Sequence, residues 1–348
     1  MRSFVVKNTL LIILLISTAM QIQAEPLTVI SYGGLHVKAQ GEAFYKPFEE
    51  QTKIKLLTGE YNGEMAKIRS MVDTKNVSWD VVQVETGDLY RGCSEGLFEQ
   101  IDWSTLKIDE ESDYVDGSLS DCGAGFFIWS IVLAYDTHQF KTPPKDWKDF
   151  WDIKKFPGKR ALRKSPILAL EAALLADGVK PADIYTVLAT PEGVDRAFKK
   201  LDEIKPYIQW WESGSQPMQW LISGNVVMTS AYNGRVYDAQ EEGKPVGIVW
   251  NDSFYDMDSF AIVKGTKNKE AAERFITLTM QPENQKIYSE VAGYGFSNKK
   301  TAALLDKKTL EHLSTAPEHM ENAHKLDPDF WIDHGETLQQ RFNIWISE

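Results

Sequence analysis

LTVISYGG, at residues 27–34, begins the pattern that decides the fold. Its apolar half predicts a buried strand, and its two glycines predict a turn into a helix over residues 38–51. A second strand is predicted at KIKLLTG (53–59), then a helix over 64–72, then a third strand at WDVVQV (79–84). Strands that alternate with helices indicate an α/β fold with an open, mostly parallel sheet.

Two candidate site residues come directly after the predicted strands. Tyr32 ends the first strand, and Glu85 follows the third. In open α/β sheets, ligands bind beyond the carboxyl ends of the strands. We therefore expect Tyr32 and Glu85 to line a binding site at that edge.

A second α/β set is predicted from residue 161 to residue 250, with a helix near residues 191–204 among its elements. The buried strand FFIWSIVLAYD (126–136) precedes this set, and the strand DMDSFAIVKG (256–265) returns to the first one. Crossings near Ala134 and Asp258 predict two lobes joined by a hinge. A single larger α/β domain with an insertion is the alternative, although 348 residues exceed one core of ordinary size. The predicted division gives lobe 1 residues 25–133 and 258–300, and lobe 2 residues 134–257 and 301–348.

The N-terminus has the layout of a secretory signal peptide over residues 1–24. Arg2 and Lys7 supply positive charge, the apolar run TLLIILLISTAM (9–20) follows, and Ala24 offers a small residue for cleavage. A membrane anchor is the alternative, but the run falls short of the roughly 20 residues that a span needs. The expected location is the periplasm.

The acidic composition argues against nucleic acid as a partner. The formal net charge is -12, and removal of the predicted signal peptide takes away two cations and no anion. Such a chain repels polyanions. It is compatible with a cationic or zwitterionic ligand.

The chain has two cysteines, Cys93 and Cys122. An exported protein meets an oxidising compartment, which favours a disulfide between them. Two buried free thiols are the alternative. A lone cysteine pair without nearby histidine does not form a metal site of the common types.

Motifs that would indicate catalysis are scarce. We identify no GxSxG nucleophile elbow, no HExxH zinc motif, no P-loop and no dinucleotide-binding GxGxxG. We therefore expect no metal, no cofactor and no enzymatic activity. A secreted hydrolase or isomerase with an unrecognised site is kept as an alternative from another class.

Aromatic residues are concentrated in the second α/β set. They are Trp210, Trp211, Trp220, Tyr232, Trp250, Phe254 and Tyr255. Aromatic walls bind amines through apolar contact and cation–π attraction, although core packing explains most such residues. Tyr232 is the exception, because it ends a predicted strand and is followed by Asn-Gly-Arg.

Arg235 and Asp258 are the most specific candidate pair for ligand binding. Each lies at a predicted strand end near a crossing. A guanidinium in a cleft offers a bidentate fork for a carboxylate, and a carboxylate there accepts an ammonium. An ordinary surface or hinge salt bridge is the alternative.

Several segments together resemble the periplasmic spermidine/putrescine-binding proteins of ABC importers, over essentially the whole mature chain. They are SYGG (31–34), WDVVQVETGDLYRGCSEGLFEQID (79–102), KTPPKDWKDFWDIKKFPGKRAL (141–162), TSAYNGR (229–235) and DMDSFAIVKGTKNKEAA (256–272). The resemblance implies a two-lobed periplasmic binding protein fold of type II with two hinge crossings. It also implies a monomer that carries a small ligand in the cleft to ABC permease transmembrane subunits.

The chain departs from the polyamine-binding members where the ligand would lie. Those members carry a Trp at the position of Tyr232, a small residue at that of Arg235, and acidic residues where this chain reads RKSPIL (163–168). Asp258 is kept. An unpaired guanidinium beside a diamine costs several kcal/mol, so the site resembles one rebuilt for a 4-aminobutyrate-like amino acid.

The sequence therefore predicts a solute-binding protein for a small zwitterionic amino compound, with a polyamine as the alternative ligand. In this hypothesis Arg235 holds the carboxylate, Asp258 the ammonium, and Tyr232 packs on the methylenes. The further candidates for lining the cleft are Glu85, Tyr32, Trp129 and Ser165.

Overall fold

The computed structural model describes residues 25–348, so the predicted signal peptide lies outside the described residues. One mixed sheet of ten strands runs through the molecule. The strands are β1 (Leu27–Tyr32), β2 (Leu56–Tyr61), β3 (Val81–Glu85), β4 (Gly123–Asp136), β5 (Arg160–Arg163), β6 (Ile208–Trp211), β7 (Met228–Tyr232), β8 (Val246–Ile262), β9 (Gly295–Phe296) and β10 (His324–Lys325).

Helices cover both faces of this sheet. They are α1 (Leu35–Gln40), α2 (Lys46–Thr52), α3 (Met65–Asp73), α4 (Thr86–Ser94), α5 (Trp147–Trp151), α6 (Pro166–Ala176), α7 (Ile184–Leu188), α8 (Pro191–Ile204), α9 (Gln216–Ile222), α10 (Asn233–Glu241), α11 (Lys269–Thr279), α12 (Pro282–Ala292), α13 (Lys307–Leu310), α14 (Pro317–Met320) and α15 (Pro328–Ser347). A π-helical turn at Gly41–Tyr45 joins α1 to α2. None of these helices has the length and apolarity that a membrane span requires.

The strand order divides the sheet into two wings and a centre. The order is β2-β1-β3-β8-β4-β7-β5-β6. We name β2, β1 and β3 the first wing and β7, β5 and β6 the second wing; the strands inside each wing are parallel. The central strands β8 and β4 are antiparallel to each other and to their neighbours. The α/β fold predicted from the sequence is confirmed, and its parallel pairing lies in the wings, apart from the short β10, which pairs in parallel with β8.

The central strands connect the two wings. β4 pairs with β7 through Ile131–Tyr135, and β8 pairs with β3 through Asp258–Ile262. Their mutual pairing shifts register between Gly125 and Phe127 and again between Ile131 and Leu133. Such bulges bend and twist paired strands. The molecule thus has the two-lobed type II architecture, with both crossings carried by long strands.

Helix α8 shows how local sequence builds the second wing. Thr190 accepts a hydrogen bond from the Gly193 backbone N–H at 3.1 Å and so caps the helix. Its buried residues, among them Ala197, Phe198 and Leu201, recur at helical spacing and pack into the main core. The bounds of α8 coincide with the range that its periodicity predicts.

A disulfide joins Cys93 in α4 to Cys122, directly before β4; the Cα atoms are 5.8 Å apart. The same region contains GCSEG (92–96), which matches the GxSxG pattern of α/β-hydrolases. That pattern indicates a nucleophile only on a turn from a strand into a helix. Here it lies at the end of α4, so these residues do not form a nucleophile elbow.

A buried carboxyl group fastens the long C-terminal helix to the second wing. Glu171 in α6 is fully buried, and its Oε1 accepts hydrogen bonds from Tyr185 Oη at 3.1 Å and from Trp331 Nε1 of α15 at 2.9 Å. Its Oε2 has no partner among the described residues. Burial raises the pKa of Glu171 to about 7. The protonated group therefore suits this environment better than the ionised one.

We predict that the free energy of unfolding falls less with rising pH in Glu171→Gln than in the wild type. The folded pKa lies above the ordinary value of 4.5, so the stabilisation from Glu171 is fully present below that value and is lost as the pH rises through about 7. The variant should match the wild type at pH 5 and exceed it at pH 8, by at most about 3 kcal/mol. Urea unfolding at both pH values measures the difference.

The exposed Glu192 of α8 provides the control for that comparison. Glu192→Gln removes the same charge without burial and should leave the pH dependence unchanged. If Glu171→Gln and the wild type differed equally at both pH values, the titration of Glu171 would not be the cause.

Candidate functional site

The carboxyl ends of the parallel strands meet at a cleft between the wings. Tyr32, Glu85, Arg163 and Tyr232 are the last residues of β1, β3, β5 and β7, and all four line one cavity of about 620 Å³. Parallel strands place their carboxyl ends at the same edge of a sheet, where ligands bind. The central strands and one loop close the floor with Phe127, Trp129, Asp258 and Tyr294.

A larger surface groove of about 840 Å³ lies elsewhere, between α2 and α11. It is lined by residues from helix flanks, such as Gln51, Glu273 and Arg274. It gathers no strand ends and no buried charge. The cleft between the wings is therefore the candidate site, although it is the smaller of the two.

Asp258 is a buried carboxyl group held by two side-chain donors. It is 2% exposed. Trp129 Nε1 donates to its Oδ1 at 2.8 Å, and Gln83 Nε2 donates to its Oδ2. Gln83 is fixed in turn by Gln40, whose Nε2 donates to Gln83 Oε1 at 2.7 Å. Burial and the nearby charge of Glu85 raise the pKa of Asp258, and the two donors oppose that shift.

Arg235 enters the cleft from the first turn of α10, and two glycines leave room for it. Gly34 has φ +75°, and a Cβ there would lie 3.1 Å from Arg235 Nη2. At Gly234 a Cβ would lie 2.6 Å from the carbonyl oxygen of Ala292. Side chains at either position would therefore displace the guanidinium or the helix that carries it.

Asn233 anchors the start of α10 from within the core. Its Oδ1 accepts from the Ser130 backbone N–H at 2.9 Å, and its Nδ2 donates to the Gly293 carbonyl at 2.9 Å. These bonds join α10 to β4 and to the end of α12. The position of Arg235 thus depends on a residue two places before it.

Aromatic rings form the walls of the cleft. Tyr232 packs edge-on against Trp129, with ring centroids 5.4 Å apart, and against Trp211 at 5.9 Å. Across the cleft Tyr32 stacks on Tyr61 at 5.4 Å. Burial raises the pKa of Tyr232 to about 12, so its ring stays neutral and offers an apolar face to a ligand.

His36 lies next to Arg235 and is uncharged. Its Nδ1 is 2.6 Å from the Tyr288 hydroxyl, and its ring stacks on Tyr294 with centroids 5.6 Å apart. Burial and the charge of Arg235 lower the pKa of His36 to about 3. His36 therefore contributes shape and hydrogen bonding at neutral pH, and no charge.

Glu85 and Arg163 form a second set of opposite charges in the cleft. Burial raises the pKa of Glu85, and the charge of Arg163 opposes that shift. The Tyr232 phenol and the Glu85 carboxylate raise the pKa of Arg163. The cleft thus contains two guanidinium groups and the carboxyl groups of Glu85 and Asp258; the third carboxylate of the lining, Glu212, is exposed and paired with Lys164.

The structure brings most of the predicted site residues together. The cavity is lined by Arg235, Asp258, Tyr232, Glu85, Tyr32 and Trp129. Ser165 is not among the lining residues, because its hydroxyl caps α6 by accepting from the Ile167 backbone N–H at 3.2 Å. An N-cap serine at the end of a strand is not distinguishable from a ligand contact by sequence position.

Sequence reasoning missed three contributors to the site. They are His36, Gln83 and Arg163. Gln83 carried a signal, as a polar residue between valines in the strand WDVVQV, and Arg163 stood at a strand end like Glu85. His36 carried none, since its burial depends on aromatic residues from α12 and beyond.

We predict that Asn233→Ala destabilises the protein by about 2–4 kcal/mol, because two buried backbone groups lose their partners. Chemical denaturation measures the loss. Asn225→Ala, at an exposed asparagine before β7, is the control and should change stability little. Equal losses in the two variants would contradict the anchoring role of Asn233.

Comparisons with known proteins agree with this geometry. The family of bacterial extracellular solute-binding proteins matches residues 43–320. The chain is 53% identical over 331 residues to the gamma-aminobutyric acid-binding protein of Pseudomonas aeruginosa, which covers 95% of this chain and 94% of that protein. It is 24% identical over 281 residues to the spermidine/putrescine-binding periplasmic protein of Salmonella typhimurium, with 78% of each chain covered.

A solved structure described as a GABA receptor has the same fold. It superposes with a TM-score of 0.83 at 33% identity and covers 92% of this chain and 97% of that one. These relatives are named for the solutes that they bind and not for reactions. The chain belongs to the family of bacterial extracellular solute-binding proteins.

Proposed function

We propose that this protein is the periplasmic substrate-binding component of an ABC importer and captures a 4-aminobutyrate-like amino compound. One observation carries the proposal: a guanidinium, Arg235, and a buried carboxylate, Asp258, line the same cleft. A ligand with one carboxylate and one ammonium satisfies both groups. The relative named for gamma-aminobutyric acid supports this choice of ligand.

The two charged groups select against ligands that present only one kind of charge. A diamine satisfies Asp258 but brings a second cation toward the Arg235 region, and like charges in a desolvated site cost several kcal/mol. A dicarboxylate meets the opposite difficulty at Asp258. Tyr232 and Trp129 supply apolar surface for the methylene groups between the two charges.

The size of the cavity supports closure of the cleft around its ligand. Its volume of about 620 Å³ exceeds that of a four-carbon amino acid. Movement of the two lobes about β4 and β8 brings the walls onto the ligand, as in other hinged binding proteins. The division at residues 134 and 258, with 301–348 assigned to the second lobe, is part of this proposal.

The cellular role rests on family membership. Proteins of this family deliver small solutes to the transmembrane subunits of ABC permeases. The N-terminal sequence supports export to the periplasm, and the Cys93–Cys122 disulfide suits an oxidising compartment. We infer a monomer that binds the free solute and then docks on the permease.

Polyamine binding is the second candidate function. Glu85 and Asp258 lie directly opposite each other on β3 and β8, and two neighbouring carboxylates are what a diamine requires. The relatives named for spermidine and putrescine give the same indication at lower identity.

We predict that Arg235→Ala weakens 4-aminobutyrate binding by roughly 30-fold or more, because loss of half of a buried charge pair costs about 2–5 kcal/mol. Putrescine binding should stay equal or improve in the same variant, since a repelling cation is gone. Asp258→Asn should weaken both ligands. Isothermal titration calorimetry of both variants with both ligands measures these changes.

Arg274→Ala is the matched control, because Arg274 is exposed in the groove beside α11 and distant from the cleft. It should bind both ligands like the wild type. Unchanged 4-aminobutyrate binding in Arg235→Ala, or a wild type that prefers putrescine, would refute the proposed ligand.

A further inference from the structure

The cleft contains one more pair of opposite charges than a short zwitterion uses. Arg235 and Asp258 are taken by the carboxylate and the ammonium in the proposed function. Glu85 and Arg163 remain, and both line the same cavity. Both side chains are only partly exposed, and charges withdrawn from water are costly unless they are compensated, so the remaining two need an explanation.

The positions of Glu85 and Arg163 oppose each other across the cleft. Glu85 ends β3 in the first wing, and Arg163 ends β5 in the second wing. The ion pairs of residues 25–348 include neither residue. Each is therefore the available counter-charge for the other.

Glu85 has a second neighbour that makes its charge costly. Asp258 lies directly opposite it in the β3–β8 pairing. Two carboxylates this close repel each other, and both gain from a cation between or beside them. Without Arg163, the two acids would together form a strong site for two ammonium groups.

We propose that Arg163 is a specificity-determining residue: it neutralises Glu85, so that the cleft offers a single free carboxylate, Asp258, to an incoming ammonium. Ligands with one ammonium then fit, and diamines do not find a second acidic partner. The inference rests on the proposed function only in taking a mono-ammonium ligand as the preferred one. It adds a second determinant of selectivity on the second wing, independent of Arg235.

The rival explanation is that Glu85 itself contacts the ligand's ammonium, with Arg163 as a bystander. The two differ in what happens when Arg163 loses its charge. If Arg163 masks Glu85, its removal exposes an anion to diamines. If Arg163 is a bystander, its removal leaves the selectivity as it was.

The experiment compares the affinities for putrescine and 4-aminobutyrate, measured by calorimetry, in the wild type and five variants. Arg163→Gln should raise the ratio of putrescine to 4-aminobutyrate affinity by at least about tenfold, since one charge pair in a desolvated site is worth more than 1.4 kcal/mol. The double variant Glu85→Gln/Arg163→Gln should restore the wild-type ratio. Arg163→Lys keeps the charge and should also keep that ratio.

The control is Lys159→Gln, which removes an exposed cation just before β5 outside the cavity and should leave the ratio unchanged. A ratio within about threefold of the wild type in Arg163→Gln would overturn the proposal. So would a gain in putrescine affinity that persists in the double variant.

Glu85→Gln gives a second reading should Arg163→Gln fail to fold. Masking predicts that the unpaired Arg163 lowers the affinity for putrescine more than that for 4-aminobutyrate, whereas direct contact of Glu85 with the ammonium predicts a loss of roughly 30-fold for both ligands. The proposed function has its own outcome, because it fails if the wild type does not bind 4-aminobutyrate. A Glu85-dependent gain of putrescine binding in Arg163→Gln would support the inference even then.

Discussion

The hydrogen bond between Trp129 and Asp258 is the interaction on which the functional part of the molecule depends. Trp129 belongs to β4 and Asp258 to β8, the two strands that connect the wings, and the indole N–H donates to the carboxylate at 2.8 Å. In the proposed function, the carboxyl group that accepts the ligand's ammonium therefore stands on the crossing itself, while Arg235 stands on the second wing. A ligand bound to both groups links the crossing to that wing. A small molecule with two charges can in this way stabilise one arrangement of the lobes over another, which is the requirement for ligand-driven closure.

Acidic groups in and beside the cleft repel one another, and a bound cation relieves that repulsion. Glu85, Asp256 and Asp258 lie close enough for their charges to act on one another, and burial raises the pKa of all three, that of Asp256 to about 7. Thr86 Oγ1 donates to Asp256 at 2.6 Å and compensates part of that cost. An ammonium at Asp258 favours its ionised form, so ligand binding and release of any bound proton are coupled there. The affinity for an amine thus comes partly from relief of repulsion that is already present in the fold.

More of the fold than of the site could be predicted from the sequence. Helices and strands depend on nearby residues, whereas the site depends on contacts between residues far apart in the chain. The strand β1 and the helix α8 have the predicted bounds because periodicity and caps are local properties. The antiparallel centre was not predicted, since parallel and antiparallel pairing of a long buried strand have the same apolar pattern. At the site, Arg235 and Asp258 could be selected because they interrupt strand ends with charge. Ser165 looked equivalent by position, and only the geometry shows that it caps a helix.

In the proposed function, the distribution of charge between the lobes sets the orientation of the ligand. Both guanidinium groups of the cleft, Arg163 and Arg235, come from the second wing, whereas Glu85 comes from the first wing and Asp258 from the crossing. A zwitterion fits this separation in one direction, with its ammonium toward the acidic side and its carboxylate toward the basic side. Arg235 extends across the cleft to the glycine turn before α1, so the carboxylate site is formed between the lobes and not on one of them. Because both lobes are needed to recognise one short molecule, the ligand binds tightly only in the closed state. A ligand too short to contact both sides gains no affinity from closure.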